Sequence, residues 1–283
     1  MTLSTESLLS CKIILPEEMP ANIDQHILAR LDNLKKLTGA SVESIIDEIK
    51  AEAAKTPNYL YSEKYGLICC AGTKSEVDSL YMNGLKILNG EQKEPFSVKK
   101  TSGRISNKIA IITGAAQGFG KGIAKDLFEE GANIIIADLN EEAGIALRNE
   151  LNETDTPNRA FFVKMDVSNP ESVENTIFET VREYGGLDIM ISNAGVLRAG
   201  GLDEMNASTF KFMTDINYTG YFFCAKYASA VMKIQNNYNQ EYFYDILQIN
   251  SKSGLSGSKK NFAYAGGKFG GIGLTQSFAL ELI

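Results

Sequence analysis

A tyrosine and a lysine near the end of the chain have the types and spacing that proton transfer requires. Tyr264 and Lys268 are four residues apart, so on a helix both side chains project from the same face. A tyrosine hydroxyl ordinarily titrates at about 10, and a neighbouring ammonium group favours the phenolate form. The pair therefore predicts a general base for alcohol oxidation, or a general acid for carbonyl reduction.

Two earlier polar residues are candidates for the same reaction. Ser251 precedes Tyr264 by thirteen residues and follows a predicted strand, where its hydroxyl could hold the substrate oxygen. Asn217 is a candidate to anchor a water that links Lys268 to solvent. A tyrosine and a lysine at this spacing arise by chance about once in a chain of this length, so the prediction depends on the whole set.

The histidine content excludes two other kinds of chemistry. The single histidine, His26, lies in a different region from Ser251, so a Ser-His-Asp hydrolase is not credible. A histidine-based zinc or iron site is equally disfavoured, and we predict no metal.

A glycine-rich turn follows the first strand of the C-terminal region. Its glycines permit a tight turn and let backbone N–H groups at a helix N-terminus approach a pyrophosphate. The same pattern can be a simple strand–helix corner, so the context decides. The residues predicted to bind the cofactor here are Gly114, Gln117, Gly118, Phe119 and Gly120.

An aspartate at the end of the next strand supplies that context. Asp138 lies twenty-four residues after Gly114, where a carboxylate accepts hydrogen bonds from adenosine ribose hydroxyls and repels a 2′-phosphate. No arginine directly follows Asp138. The pattern therefore predicts NAD rather than NADP as the cofactor.

These motifs together resemble the short-chain dehydrogenase/reductase family over residues 106–283. The glycine spacing is G-x-x-x-G-x-G, Asp166-Val167 follows the third strand, and Asn193-Ala194-Gly195 follows the fourth. The resemblance implies that Asp166 and Val167 lie by the adenine and that Asn193 fixes the sheet centre near the cofactor. It also implies a catalytic set of Asn217, Ser251, Tyr264 and Lys268, of which Tyr264 and Lys268 also contact the cofactor.

The segment around Ser251 suggests a substrate class. Residues 248–254 and 268–277 resemble those of sorbitol-6-phosphate 2-dehydrogenases, which implies a small-molecule substrate such as a polyol or sugar phosphate. Lys252, Lys259 and Lys260 could meet the phosphate. The alternative is that these lysines form a solvated loop.

The C-terminal region alternates strands with helical stretches. Its candidate strands are rich in Ile, Val and Phe rather than alternating, as strands buried on both faces should be. We predict an α/β fold with a Rossmann-like, doubly wound parallel sheet. The strands are Ile109–Ile112, Asn133–Ala137, Ala160–Lys164, Asp188–Ser192 and Asp245–Ile249.

The pattern of residues 1–90 predicts a small, mostly helical segment with one strand. The polar residues 91–105 are predicted to form a linker. Helices are expected over Asn22–Leu37, from Ser41 onward and over Ser75–Leu88, and a buried strand over Leu67–Ala71. The segment resembles, faintly, the last strand and helix of class II aldolases. Aldolase activity is not implied, because the metal-binding histidine cluster is absent.

Composition limits the partners and the compartment. A net charge of −7, from 28 basic and 35 acidic residues, disfavours nucleic-acid binding. No apolar run approaches the ~20 residues of a membrane span. Four cysteines without a disulfide-like framework fit a reducing cytoplasm.

The resemblance also bears on completeness. Family members continue beyond the Tyr264 helix into two more strands that close the substrate pocket, so we expect a C-terminally truncated fragment of a longer protein, homo-oligomeric when full length. Two functions stay open: an NAD-dependent oxidoreductase, or a catalytically incomplete module that only binds nucleotide or assists assembly.

Overall fold

The computed structural model places the described strands in two sheets, one of four strands and one of five. It describes residues 10–20, 28–31, 34–39, 41, 44, 48, 58–71, 74–94, 102–238, 240 and 242–282. The N-terminal elements are β1 (Ser10–Ile14), β2 (Lys35–Lys36), β3 (Asn58–Ser62), β4 (Gly66–Ala71) and α1 (Lys74–Leu88). The C-terminal elements are β5 (Ile109–Thr113), α2 (Gly118–Glu129), β6 (Asn133–Asp138), α3 (Glu141–Asn152), β7 (Ala160–Lys164), α4 (Pro170–Tyr184), β8 (Ile189–Ser192), α5 (Ala207–Thr214), a π-helical turn (Asp215–Thr219), α6 (Gly220–Tyr238), β9 (Asp245–Gln248), a short 3-10 helix (Lys252–Gly254) and α7 (Phe262–Leu282).

The described part of the N-terminal segment contains a four-stranded sheet, so the prediction of a single strand there is wrong. The order is β1-β4-β3-β2, and β4 pairs antiparallel with both β1 and β3. A buried strand needs partners on both edges to satisfy its backbone groups. Two five-residue strands with little apolar periodicity of their own supply them.

One predicted N-terminal helix also ends too late. Lys35–Lys36 pairs in parallel with Leu60–Tyr61 as β2, so a helix cannot run to Leu37. Much of that helix, and the helix expected after Ser41, lie outside the described residues. The predicted strand at Leu67–Ala71 and the helix at Ser75–Leu88 are confirmed as β4 and α1.

The C-terminal sheet is the doubly wound parallel sheet that the sequence predicts. All five strands are found within one residue of their predicted bounds, in the order β7-β6-β5-β8-β9, and all pairs are parallel. Ile111 and Ile135 pack with α4 and α6, whereas Ile112 and Ile134 pack with α2 and α3. Burial on both faces explains the continuous apolar runs of β5, β6 and β8. The edge strand β9 is partly exposed instead.

The strand order places a crevice at the centre of this sheet. From β5 the chain moves outward to β6 and β7, then returns to the other side of β5 as β8 and β9. The loops after β5 and β8 therefore leave in opposite directions, which opens a crevice at the carboxyl ends of the strands. In the described part of the chain, no helix has the length and apolar character needed to cross a membrane.

A buried lysine joins the two sheets. Lys74, at the start of α1, is 1% exposed, and its Nζ pairs with the carboxylates of Asp78 at 2.8 Å and Glu183 at 2.9 Å. It also donates to the Glu183 carbonyl at 2.6 Å and lies 5.1 Å from the Tyr184 ring centroid. Glu183 and Tyr184 end α4, so Lys74 connects the helix that packs on the N-terminal sheet to the C-terminal parallel sheet.

We expect Lys74→Ala to lower the free energy of unfolding by about 2 kcal/mol, because it removes a buried ammonium together with its ion pairs to Asp78 and Glu183. Urea denaturation measures this. Lys86→Ala is the control, because its pair with Glu94 (2.9 Å) is more exposed and should contribute less than about 1 kcal/mol. Equal effects of the two variants would show that Lys74 does not hold the sheets together.

Candidate active site

The glycine-rich turn between β5 and α2 adopts the conformation that its glycines permit. Gly114 and Gly118 have φ of +63° and +57°, in the left-handed region that other residues rarely adopt. A Cβ on Gly120 would lie 2.1 Å from the Gly114 carbonyl oxygen and 2.6 Å from Asn193 Nδ2. The turn therefore brings the N-terminus of α2 close to the crevice, where its free N–H groups favour an anion.

Asp138 braces this turn. Its Oδ2 accepts from the Ala116 N–H at 2.9 Å and its Oδ1 from the Asn140 N–H at 2.9 Å. The carboxylate thus ties the end of β6 to the glycine-rich turn and to the loop that begins α3. The sequence predicts that Asp138 meets a ribose, but it does not predict this brace.

Thr113 and Asn193 join β5 to β8 at the centre of the sheet. The buried Thr113 hydroxyl accepts from the backbone N–H groups of Asn193 (3.0 Å) and Ala194 (2.9 Å). Asn193 Nδ2 donates to the carbonyls of Thr113 (2.9 Å) and Gly114 (3.2 Å). Sequence reasoning missed Thr113, although its position directly before the first glycine was an available signal.

Asp166 and Val167 follow β7 on the same side of the crevice. Asp166 Oδ1 accepts from both the backbone N–H (2.9 Å) and the hydroxyl (2.7 Å) of Ser168. A Cβ on Gly220 would lie 3.0 Å from the Val167 carbonyl oxygen, so the start of α6 packs tightly under this loop.

Asn217 lies in the π-helical turn and is 2% exposed. Its Oδ1 accepts from the Val196 N–H at 2.9 Å, and its Nδ2 donates to the Val196 carbonyl at 2.8 Å. A Cβ on Gly195 would lie 3.0 Å from Asn217 Oδ1 and 4.0 Å from Lys268 Nζ. Asn217 therefore holds the loop after β8 beside Lys268, and its predicted water relay stays a prediction.

Ser251, Tyr264 and Lys268 meet at the other end of the crevice. Ser251 Oγ accepts from the Ser253 N–H at 3.2 Å as the cap of the 3-10 helix. Lys268 is 5% exposed; its Nζ donates to the Ile249 carbonyl at 2.6 Å and lies 5.7 Å from the Tyr264 ring centroid. Burial lowers the pKa of the Lys268 ammonium below its ordinary value.

One cavity of about 820 Å³ connects these groups, a volume at the upper end of the usual range for ligand sites. Every predicted site residue lines it except Gly120 and Asn217, which lie behind its wall. Its other lining residues are ones that the sequence did not single out as site residues, among them Leu139, Met165, Val196, Leu197, Ile216 and Asn250.

Residues 108–283 match the family model described as short chain dehydrogenase. The chain belongs to this family. It is 35% identical over 189 residues to the trans-4-hydroxycyclohexanecarboxylate dehydrogenase of Sinomonas cyclohexanicum, covering 65% of this chain and 70% of that protein. It is 31% identical to the sorbitol-6-phosphate 2-dehydrogenase of Escherichia coli, covering 62% of this chain and 66% of the relative.

Solved structures of the family show the same fold. A short chain dehydrogenase/reductase from Burkholderia phymatum, in complex with NAD, matches with a TM-score of 0.59 and 25% identity over 63% of this chain and 61% of that chain. Against three curated relatives, this chain spans 62% to 70% of their lengths. The similarity of residues 1–90 to an aldolase stays a prediction.

Proposed function

We propose that the chain is an NAD-dependent oxidoreductase that interconverts a secondary alcohol and a ketone. The observation that carries the proposal is that both groups line the same cavity. The glycine-rich turn and Asp138 line it, and so do Ser251, Tyr264 and Lys268. A dinucleotide site and a proton-transfer site in one cavity are what hydride transfer requires.

The residues present fit a dinucleotide. Gly118 lines the cavity, and a Cβ there would meet nothing within 4 Å, so the turn is open to close backbone approach. The N–H groups at the start of α2 would hold the pyrophosphate. Asp138 would accept from the adenosine ribose, and Asp166 and Val167 would border the adenine. The family member in complex with NAD supports this cofactor.

The chain's own residues would manage the substrate oxygen and its proton. The Ser251 hydroxyl would donate a hydrogen bond to that oxygen and orient it toward Tyr264. The Tyr264 phenolate would take the hydroxyl proton as the carbonyl forms, and the Lys268 ammonium would stabilise the phenolate before the transfer. Bound NAD would supply the acceptor for the hydride of the carbinol carbon.

The substrate that we propose is a polyol or sugar phosphate. Lys252 directly follows Ser251 and Lys259 lies in the loop before α7; both are exposed outside the cavity lining, where they are available to the phosphate end of a substrate. The sorbitol-6-phosphate relative supports this class. Lys260 is a weaker candidate than the sequence suggests, because it pairs with Glu204 at 2.7 Å.

We also propose that the protein is cytoplasmic and homo-oligomeric, and that it has no nucleic-acid or membrane partner. Cys224, on α6, is buried and forms no disulfide, which supports a reducing compartment. Large exposed apolar side chains on α6 and α7, such as Phe222, Phe269 and Leu280, support self-association.

The test is formation of NADH by the purified chain with NAD and a panel of alcohols. The panel contains sorbitol 6-phosphate, sorbitol, trans-4-hydroxycyclohexanecarboxylate and a hydroxysteroid, and turnover of the phosphorylated substrate above sorbitol is expected. Binding of NAD by calorimetry without turnover of any substrate would favour the nucleotide-binding module instead.

Cofactor choice gives a sharper prediction. We expect Asp138→Ala to reduce the preference for NAD over NADP by roughly tenfold, since a carboxylate repels the 2′-phosphate and an alanine does not. The ratio of the two Kd values is the readout, because the lost bonds to Ala116 and Asn140 should weaken both dinucleotides alike.

Glu141→Gln is the matched control for this ratio. Glu141 also places a carboxylate near the end of β6, but its partner is Lys164 at 3.3 Å rather than the glycine-rich turn, so the ratio should change much less. Binding of NADP by the unmutated chain as tightly as NAD would contradict the assignment.

A further inference from the structure

Asn250, the residue before Ser251, makes three hydrogen bonds with its side chain. Its Oδ1 accepts from the Ser251 N–H at 2.7 Å. Its Nδ2 donates to the backbone carbonyl of Lys268 and to Gln248 Oε1, both at 3.0 Å. One planar amide therefore touches the end of β9, the loop that carries Ser251 and the middle of α7.

The space around this amide is closed. A Cβ on Gly254 would lie 2.3 Å from Asn250 Oδ1 and 3.1 Å from the Lys268 carbonyl oxygen. A Cβ on Gly271 would lie 2.2 Å from Gln248 Nε2. The two glycines thus let the 3-10 helix and α7 approach the two amides closely.

We propose that Asn250 is a positioning residue that fixes Ser251 relative to Lys268; this inference rests on the proposed function. Lys268 is tied to the segment 249–251 twice, through its Nζ to the Ile249 carbonyl and through its own carbonyl to Asn250. The same Asn250 amide holds the Ser251 N–H. The separation of the substrate-orienting hydroxyl and the ammonium is therefore set by one rigid group.

The chemistry of this position requires an asparagine or its equivalent. The site uses both N–H donors of Nδ2 and the Oδ1 acceptor. An aspartate has no donor and would point a carboxylate oxygen at two carbonyl-type oxygens. A serine is shorter and has one donor, so it cannot make all three bonds.

The first test compares Asn250→Ser and Asn250→Asp in the full chain with NAD and the best alcohol found. We expect kcat to fall about tenfold for serine and about a hundredfold for aspartate, because small errors in reacting geometry are costly, and the Kd for NAD to change less than about twofold. Asn169→Ser is the control, because Asn169 caps α4 and does not line the cavity; its kcat should be unchanged. Unchanged kcat in both Asn250 variants would overturn the proposal.

The second test is a double-mutant cycle that combines Asn250→Ser with Gly254→Ala. The Cβ of the new alanine would collide with Asn250 Oδ1. Each single change should lower kcat. Together they should lower it by less than the product of the two factors, because serine removes the atom that the new Cβ meets. Full multiplicativity would show that the two residues do not act on one contact.

The third readout does not depend on activity. Hydrogen exchange of the Ser251 N–H should be at least about tenfold faster in Asn250→Ser than in the unmutated chain, because its acceptor at 2.7 Å is lost. If no alcohol is turned over, the proposed function fails, yet this exchange still tests the contact. Unchanged exchange would overturn the positioning role whatever the activity.

Discussion

Replacing Tyr264 with phenylalanine should lower kcat by ~10² or more, the usual scale for loss of a positioned acid–base group. The ring and its 5.7 Å contact with Lys268 remain, and only the hydroxyl that would take the substrate proton is removed. The Kd for NAD, measured by calorimetry, should change less than about twofold, because that hydroxyl serves mainly the substrate.

Tyr221→Phe is the matched control for this experiment. The Tyr221 hydroxyl bonds to Thr275 on α7 at 2.9 Å, so the change removes a hydroxyl from the same helix interface but not from the cavity. Its kcat should stay close to that of the unmutated chain. Near-normal turnover by Tyr264→Phe would mean that Tyr264 and Lys268 serve helix packing, and the proposed mechanism would be wrong.

Replacing Lys268 with methionine should have the larger effect, about 10³ in kcat/KM, because in the proposed mechanism the ammonium would both stabilise the phenolate and hold the nicotinamide ribose. The Kd for NAD should rise as well. The activity–pH profile should move to alkaline pH, since the positive charge that favours deprotonation of the neighbouring hydroxyl is gone. An activity–pH profile that does not move would show that Lys268 does not influence the proton transfer.

The same variant should be nearly neutral for stability. Burial lowers the pKa of Lys268 in the folded state, so the charged form is penalised on folding; this penalty is fully present below the folded pKa and disappears as pH rises through the unfolded value. Methionine removes the penalty together with the bond to Ile249. We expect the free energy of unfolding at pH 7 to change by less than about 1 kcal/mol.

Lys226→Met is the control for both readouts. Lys226 also lies over a tyrosine ring, 5.2 Å from the centroid of Tyr227, but it is exposed on α6 and absent from the cavity lining. It should change neither turnover nor the pH profile. Equal loss of activity in the two variants would indicate a general effect of charge rather than a role for Lys268.

Local sequence signals were sufficient for the sheet that forms the site. β5, β6 and β8 are short apolar runs between helical stretches, and burial on both faces requires that pattern. The glycines at 114 and 118 have the positive φ that such a turn needs, and Tyr264 and Lys268 both face the cavity because four residues are about one helical turn. These features depend on residues close together in the chain, so sequence analysis could identify them.

Contacts between residues far apart in the chain determine the N-terminal sheet and the hydrogen bonds that hold the site together. β1 and β3 pair with the two edges of β4, and neither strand has a strong apolar pattern of its own in the sequence. The bonds of Thr113 to Asn193 and of Asn217 to Val196 join residues 80 and 21 positions apart, and the amide of Asn250 reaches Lys268 across 18. Such side-chain-to-backbone bonds have no periodicity in the sequence. They form only when the packed sheet brings separate loops within about 3 Å of each other, so the tertiary structure alone assigns them.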